Sequence, residues 1–226
     1  MLIRQLFDQD SWTYTYLIAD RATHKAALID PVLEQVERDL KLIGELGLTL
    51  EYVLETHVHA DHITGAGRLR EKTSAKTVAH HAGAECANIH VRHHDTLSLG
   101  NLEIEVLATP GHTDDSLSFR VADNVFTGDA LFIRGTGRTD FQNGDPATLH
   151  DSITRVLFSL PEETKVWPGH DYKGLTVSTI GEEKALNPRI AGKTRKEFID
   201  LMNNLNLPVP RKLDQSVPAN RQCGRV

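Results

Sequence analysis

Cysteine is scarce in this chain: Cys86 and Cys223 are the only two in 226 residues. Two thiols so far apart cannot supply the dense disulfide framework of a small secreted protein, and a reducing compartment, the cytoplasm, is expected. Long apolar runs are missing as well. None approaches the roughly 20 residues a bilayer-spanning helix needs, so no membrane association is expected. Basic stretches are also absent: the formal charge is −6, and Lys and Arg are scattered rather than gathered into a block or stripe. This argues against nucleic acid as a partner and leaves small molecules. The opening Met1-Leu2-Ile3-Arg4-Gln5-Leu6-Phe7 lacks the basic region and cleavage site of a secretory signal and the Ser/Arg richness of a transit peptide, so folded sequence is expected to begin at once. What remains, 39% hydrophobic and 25% charged, is ordinary globular composition with no dividing linker. One domain over residues 1–226, with a helical and extended C-terminal segment, is expected.

One stretch departs from this background. Thr56-His57-Val58-His59-Ala60-Asp61-His62 packs three imidazoles and a carboxylate directly after a mostly apolar run, Leu50 to Leu54, that reads as a buried strand. Such ligands suit zinc, iron or manganese, and histidines alternating at a strand exit can point at one centre.

The rest of the chain repeats the device. Ser11 to Ala19 and Lys25 to Ile29 read as a hairpin, and Leu33, Val36, Leu40 and Ile43 as one face of a helix closed by Gly44 and Gly47. A short helix is expected from about His62, and a strand over Lys76 to Ala79. The strand of Leu102, Ile104, Val106 and Ala108 runs into Thr109-Pro110-Gly111-His112. That of Leu117, Phe119 and Val121 turns back through Val125-Phe126 into Thr127-Gly128-Asp129, and Lys165-Val166-Trp167 leads to Pro168-Gly169-His170. Four apolar runs thus end in tight loops that each present a metal-type side chain, and convergence of four is a stronger signal than any one turn histidine. His80, His81, His90, His93 and His94 lack metal-type spacing and read as solvated or hydrogen-bonded histidines. Strands interleaved with helices suggest sheets covered by helices.

Thr-His-x-His-x-Asp-His resembles the signature of the metallo-β-lactamase superfamily, which implies an α/β fold, an αββα sandwich of two mixed sheets flanked by helices. In binuclear hydrolases of that superfamily, residues matching His57, His59 and His112 hold one metal, those matching Asp61, His62 and His170 a second, and Asp129 bridges. On these seven alone a glyoxalase-II-type hydrolase of S-acylglutathione would follow. However, Arg134-Gly135-Thr136-Gly137-Arg138-Thr139-Asp140-Phe141-Gln142, Asn187-Pro188-Arg189, Asn204-Leu205-Asn206-Leu207-Pro208 and Val217 to Gly224 resemble the persulfide dioxygenases, also called sulfur dioxygenases.

That resemblance implies one Fe(II) per chain on His57, His112 and Asp129, with His59, Asp61, His62 and His170 as a polar outer shell or an alternative second metal site. Glutathione persulfide and O2 would be the substrates, sulfite and glutathione the products, and a homodimer the assembly. Arg138 and Tyr172 match substrate-contacting positions, a planar fork for a carboxylate and a phenol for a hydrogen bond. The hydrolase remains the alternative, separated from the dioxygenase by metal count. A non-catalytic metal scaffold that senses a thiol is the third reading.

Overall fold

The computed structural model describes residues 1–209 and 212–225. Its first sheet contains β1 (Leu2–Asp8), β2 (Thr13–Ala19), β3 (Lys25–Ile29), β4 (Thr49–Leu54), β5 (Lys76–His80) and β6 (Ile89–Val91), hydrogen-bonded in sequence order. The first three strands pair antiparallel and the rest parallel. The second sheet runs in the order β12 (Ser178–Thr179), β11 (Lys165–Pro168), β10 (Asn124–Gly128), β9 (Leu117–Val121), β8 (Leu102–Ala108), β7 (Thr96–Leu99). It is antiparallel except where β10 meets β11.

Three apolar layers fill the sandwich, one between the sheets and one outside each. Tyr16, Ile18, Leu54 and Val78 of the first sheet meet Ile104, Val106, Phe119 and Phe126 of the second. The outer face of the first sheet, through Leu17, Leu28 and Val53, packs on α1 (Val36–Glu45) and α2 (Ala66–Thr73) by way of Ile43 and Leu69. On the far side, Leu107, Val125 and Val166 pack on α3 (Pro146–Asp151), α4 (Ile180–Leu186) and α5 (Arg195–Asn203). α3 continues as a π-helical turn over Ser152–Val156 and a 3-10 turn over Leu157–Ser159. The last helix, α6 (Leu213–Arg221), returns to the first sheet, where Cys223 joins the layer under α2. β2 is buried at all seven positions, so the alternation of Thr13 and Thr15 with Tyr14 and Tyr16 marks a strand without marking a solvent face. The αββα expectation is met, and no helix of the described residues is long and apolar enough to cross a membrane.

Two readings need correction. β1 was not expected, because its burial, with only Leu2 and Asp8 buried, leaves no clean alternation to read. The helix expected from His62 starts at Ala66 instead. The intervening residues are tied to a neighbouring loop instead: Thr64 bridges to Val32, and Gly65 N donates to Pro31 O at 2.7 Å. The cysteines are also joined: Cys86 and Cys223, 137 residues apart, form a disulfide.

Candidate active site

The site lies where β4 of one sheet and β8, β10 and β11 of the other empty their C-terminal ends together. Asp30, just after β3, fixes the first loop by accepting from Thr56 N at 2.7 Å and Thr56 Oγ1 at 2.8 Å. Having given its proton to Asp30, Thr56 Oγ1 is left to accept from His57 Nδ1, 3.0 Å away. His112 Nδ1 donates to Arg138 O at 2.7 Å in the same manner. Both imidazoles therefore keep Nε2 free, in the tautomer that a metal ligand requires. Their rings stand perpendicular, with centroids 4.8 Å apart, and His112 Nε2 lies 3.5 Å from Asp129 Oδ2. A Cβ on Gly169 would come within 2.6 Å of Asp129 Oδ1, so the Pro-Gly-His turn passes the carboxylate only as glycine.

Ligand atoms of His57, His112 and Asp129 all lie within 4.8 Å of one another. Asp129 Oδ1 is buried with no hydrogen-bond partner among the described residues. Burial, followed by His59 and His112 alongside, holds the His57 imidazole well below its usual range and so keeps it neutral, as a metal ligand must be. Two neutral imidazoles, a carboxylate and an orphaned buried oxygen fit a divalent ion.

The other four residues of the expected constellation are close by but differently engaged. Although its ring lies 4.1 Å from that of His57, His59 sends Nε2 toward Asp30 Oδ1 at 3.1 Å and Glu55 Oε2 at 3.5 Å. Asp61 Oδ2 sits 2.9 Å from His62 Nδ1 and accepts from Thr13 Oγ1 at 3.0 Å. Burial alone would raise the Asp61 carboxyl, but His62 and His170 outweigh it and hold it well below the ordinary carboxylate range. His170 is anchored by Nδ1 to Trp12 O at 3.0 Å, and its Nε2 stands 3.6 Å from both Asp61 and Asp129. Ligand atoms of His59, Asp61 and His62 form a second close group.

Beyond Asp129 opens a cavity of about 710 Å³ whose walls include Trp12, Asp61, His112, Asp129, Arg138, His170, Tyr172 and Arg189. Tyr172 stacks on His170 with rings 5.9 Å apart and 4° from parallel. Arg138 reaches the cavity with its fork already engaged. Nε and one terminal nitrogen clasp Asp140 at 2.6 and 2.7 Å, another donates to Pro208 O at 2.6 Å, and Cζ lies 4.6 Å over the Phe141 ring. Arg189 is the opposite case. It is half-buried, bonds Thr136 O at 2.5 Å through a single nitrogen, and pairs with no carboxylate of the described residues.

The family profile described as the metallo-beta-lactamase superfamily matches residues 13–85 and 89–170. The mitochondrial persulfide dioxygenase ETHE1 of Mus musculus is 49% identical over 228 residues, spanning 99% of this chain and 89% of the mouse protein. Its Homo sapiens counterpart is 47% identical with the same coverage. The crystal structure of ETHE1 from Myxococcus xanthus superposes with a TM-score of 0.99 at 64% identity, covering both chains completely. This chain belongs to the persulfide dioxygenase family.

Family membership accounts for the segments beyond the metal motif. Arg134 to Arg138 of the first run wall the cavity, Asn187-Pro188-Arg189 delivers the unpaired guanidinium, and Leu207-Pro208 closes over Arg138. Arg189 is the cavity residue that motif reading did not single out. Its signal was confined to the resemblance of three residues, whereas its lack of a partner depends on the fold. The outlying histidines go elsewhere: His90 Nε2 lies 3.2 Å from Ala84 O, His93 Nδ1 accepts from Ala108 N at 3.1 Å, and His94 Nδ1 faces Glu105 at 3.3 Å.

Proposed function

We propose that this persulfide dioxygenase oxidises glutathione persulfide at a single Fe(II) held by His57, His112 and Asp129. The observation that carries the reading is the separation of these three donors from His59, whose Nε2 faces Asp30 and Glu55. Bound there on two imidazoles and one carboxylate, Fe(II) would supply open positions where the persulfide sulfur and O2 can meet and exchange electrons. The balanced reaction is GSSH + O2 + H2O → GSH + SO3²⁻ + 2 H⁺, in which sulfane sulfur is oxidised and O2 reduced. Both protons need acceptors. The Asp61–His170 pair, at the cavity wall and hydrogen-bonded onward through Thr13 and Trp12 O, is placed to orient water and take one up.

Glutathione brings two carboxylates, and the cavity offers two guanidinium groups. Arg189 has donors to spare, so it takes one carboxylate directly; Arg138 contributes through a fork shared with Asp140. Tyr172, stacked beside His170, offers its phenol to the peptide portion. The remaining parts of the reading are one domain over residues 1–226, a homodimer and a cytoplasmic location; the Cys86–Cys223 disulfide removes the support that cysteine scarcity gave to the last of these.

The test is anaerobic loading with Fe(II), metal counting, and O2 uptake and sulfite release on adding glutathione persulfide. One iron per chain with stoichiometric O2 consumption is the expected result. Two metals per chain with brisk S-lactoylglutathione cleavage and no O2 uptake would establish the glyoxalase-II-type alternative instead.

A further inference from the structure

The metal-bearing loop is gripped from the far end of the chain. Asn220, 3% exposed near the end of α6, accepts from Thr64 N at 2.9 Å and donates to His59 O at 2.9 Å and His62 O at 2.8 Å. One amide thus satisfies three backbone groups of the loop that runs from His57 to Thr64, using both donors and its acceptor. No helix or sheet bond reaches His59 O and His62 O, so without Asn220 these carbonyls would be buried without a partner.

The turn that follows Asn220 is fastened in its own right. Cys223 O accepts from Gly67 N at 2.9 Å, and a Cβ on Gly224 would collide with Thr64 O. Cys223 is also bonded to Cys86, which lies between β5 and β6 and whose carbonyl accepts from Arg70 at 2.9 Å. The covalent tether lies three residues from Asn220 and joins α6 to the sheet that carries His57.

We propose that Asn220 is a positioning residue for the metal-bearing loop and that the Cys86–Cys223 disulfide makes its grip dependent on thiols. Cys86 is half-buried and Cys223 only 3% exposed, so a small thiolate attacks the Cys86 sulfur and Cys223 leaves as thiolate. A second thiol then resolves the mixed disulfide. For glutathione the sum is one protein disulfide plus 2 GSH giving two protein thiols plus GSSG, a two-electron transfer, and the reverse exchange with GSSG restores the tether. With the tether cut, α6 is held to the loop only by hydrogen bonds and packing, and the loop's lifetime in its metal-holding form shortens. The inference rests on the loop being a metal site and not on which substrate is oxidised.

The experiment measures transfer of Fe(II) from loaded protein to a colorimetric chelator, anaerobically, together with the visible spectrum of the Co(II)-substituted protein. Asn220→Asp keeps the acceptor for Thr64 N and loses both donors; it should release iron about tenfold faster or more, with an altered Co(II) spectrum. Wild-type protein incubated with reduced glutathione should shift in the same direction. Cys86→Ser should release iron at the reduced wild-type rate whether or not glutathione is present. Wild-type release kinetics and spectrum in Asn220→Asp would overturn the positioning role. An unchanged rate after both thiols have been titrated as free, or two free thiols even after treatment with GSSG, would overturn the redox dependence. If Asn220→Asp fails to fold, the comparison of wild type with Cys86→Ser decides, since neither alters Asn220. Chelator transfer needs no persulfide, so its outcome is separate from that of the O2-uptake assay.

Discussion

The two halves of the cavity are built on different plans. On the side proposed to hold the metal, His57, His112, Asp129 and the neighbouring His170 sit one to four residues past a strand end, and each histidine's second nitrogen is tied to a fixed neighbour: His57 to Thr56, His112 to Arg138 O, His170 to Trp12 O. On the substrate side, the walls are loop residues, 132–138, 171–173, Arg189 and 207–209, held by side-chain networks such as buried Glu183, which receives Arg134 N at 2.8 Å and Asn187 Nδ2 at 2.9 Å. A metal centre tolerates little error in donor position, so it is rooted in sheets. A flexible peptide-like substrate can be gripped by groups that adjust.

This contrast can be broken from the metal side first. Asp129→Ala should lose bound metal and activity altogether, because three protein donors leave no redundancy; metal analysis of the purified variant checks it. Thr56→Val is the finer cut. It removes the hydroxyl that links His57 to Asp30 and should weaken metal affinity about 10–100-fold while the fold persists, as read by competition with a chelator of known affinity.

The substrate side should respond in KM rather than in metal content. Arg189→Ala should raise KM for glutathione persulfide by roughly one to two decades, the worth of a charge-assisted hydrogen bond, with iron loading unchanged. Arg138→Ala should move KM less, about three- to tenfold, because Asp140 already shares its fork and part of the bond strength is not available to substrate. Steady-state O2 uptake at matched iron content separates the two, and an Arg138 effect larger than that of Arg189 would reverse the assignment.

A separate effect concerns stability and lies outside the cavity. Asp39, fully buried on α1, has its carboxyl pushed up to about 6, burial outweighing the attraction of Arg38. The folded state holds this proton more tightly than the unfolded chain does. Its contribution is therefore complete below about pH 4 and lost as pH rises through about 6. Asp39→Asn should gain on wild type across that window, by at most about 3 kcal/mol, in denaturant titrations at successive pH values.

How much of this was legible in the sequence follows the same division. The strand exits declared themselves because a buried strand followed by His or Asp on a glycine turn leaves a local pattern, and His57, His112, Asp129 and His170 all lie at such exits. Other features depended on contacts that no local pattern encodes. The engaged state of Arg138 depends on Pro208 O, 70 residues away, and the grip of Asn220 spans more than 150 residues. The pairing of Cys86 with Cys223 was equally hidden, since two cysteines without a framework carry no information about distance. β1 was missed because an edge strand with mixed burial lacks the alternation that marks a strand.

One further consequence follows from the seam between the sheets. His57 is carried by the first sheet and His112, Asp129 and His170 by the second, while the Thr13–His170 bridge and the bond from Tyr14 N to Gly169 O, 2.8 Å, stitch the two together beside the donors. Neither half can assemble the centre on its own, so metal capture reports that the sandwich has closed. Because the ion binds only the docked form, it also stabilises that form by mass action. A newly made chain whose halves have not met holds no complete centre, and so has no means of engaging O2 before its own core is sealed.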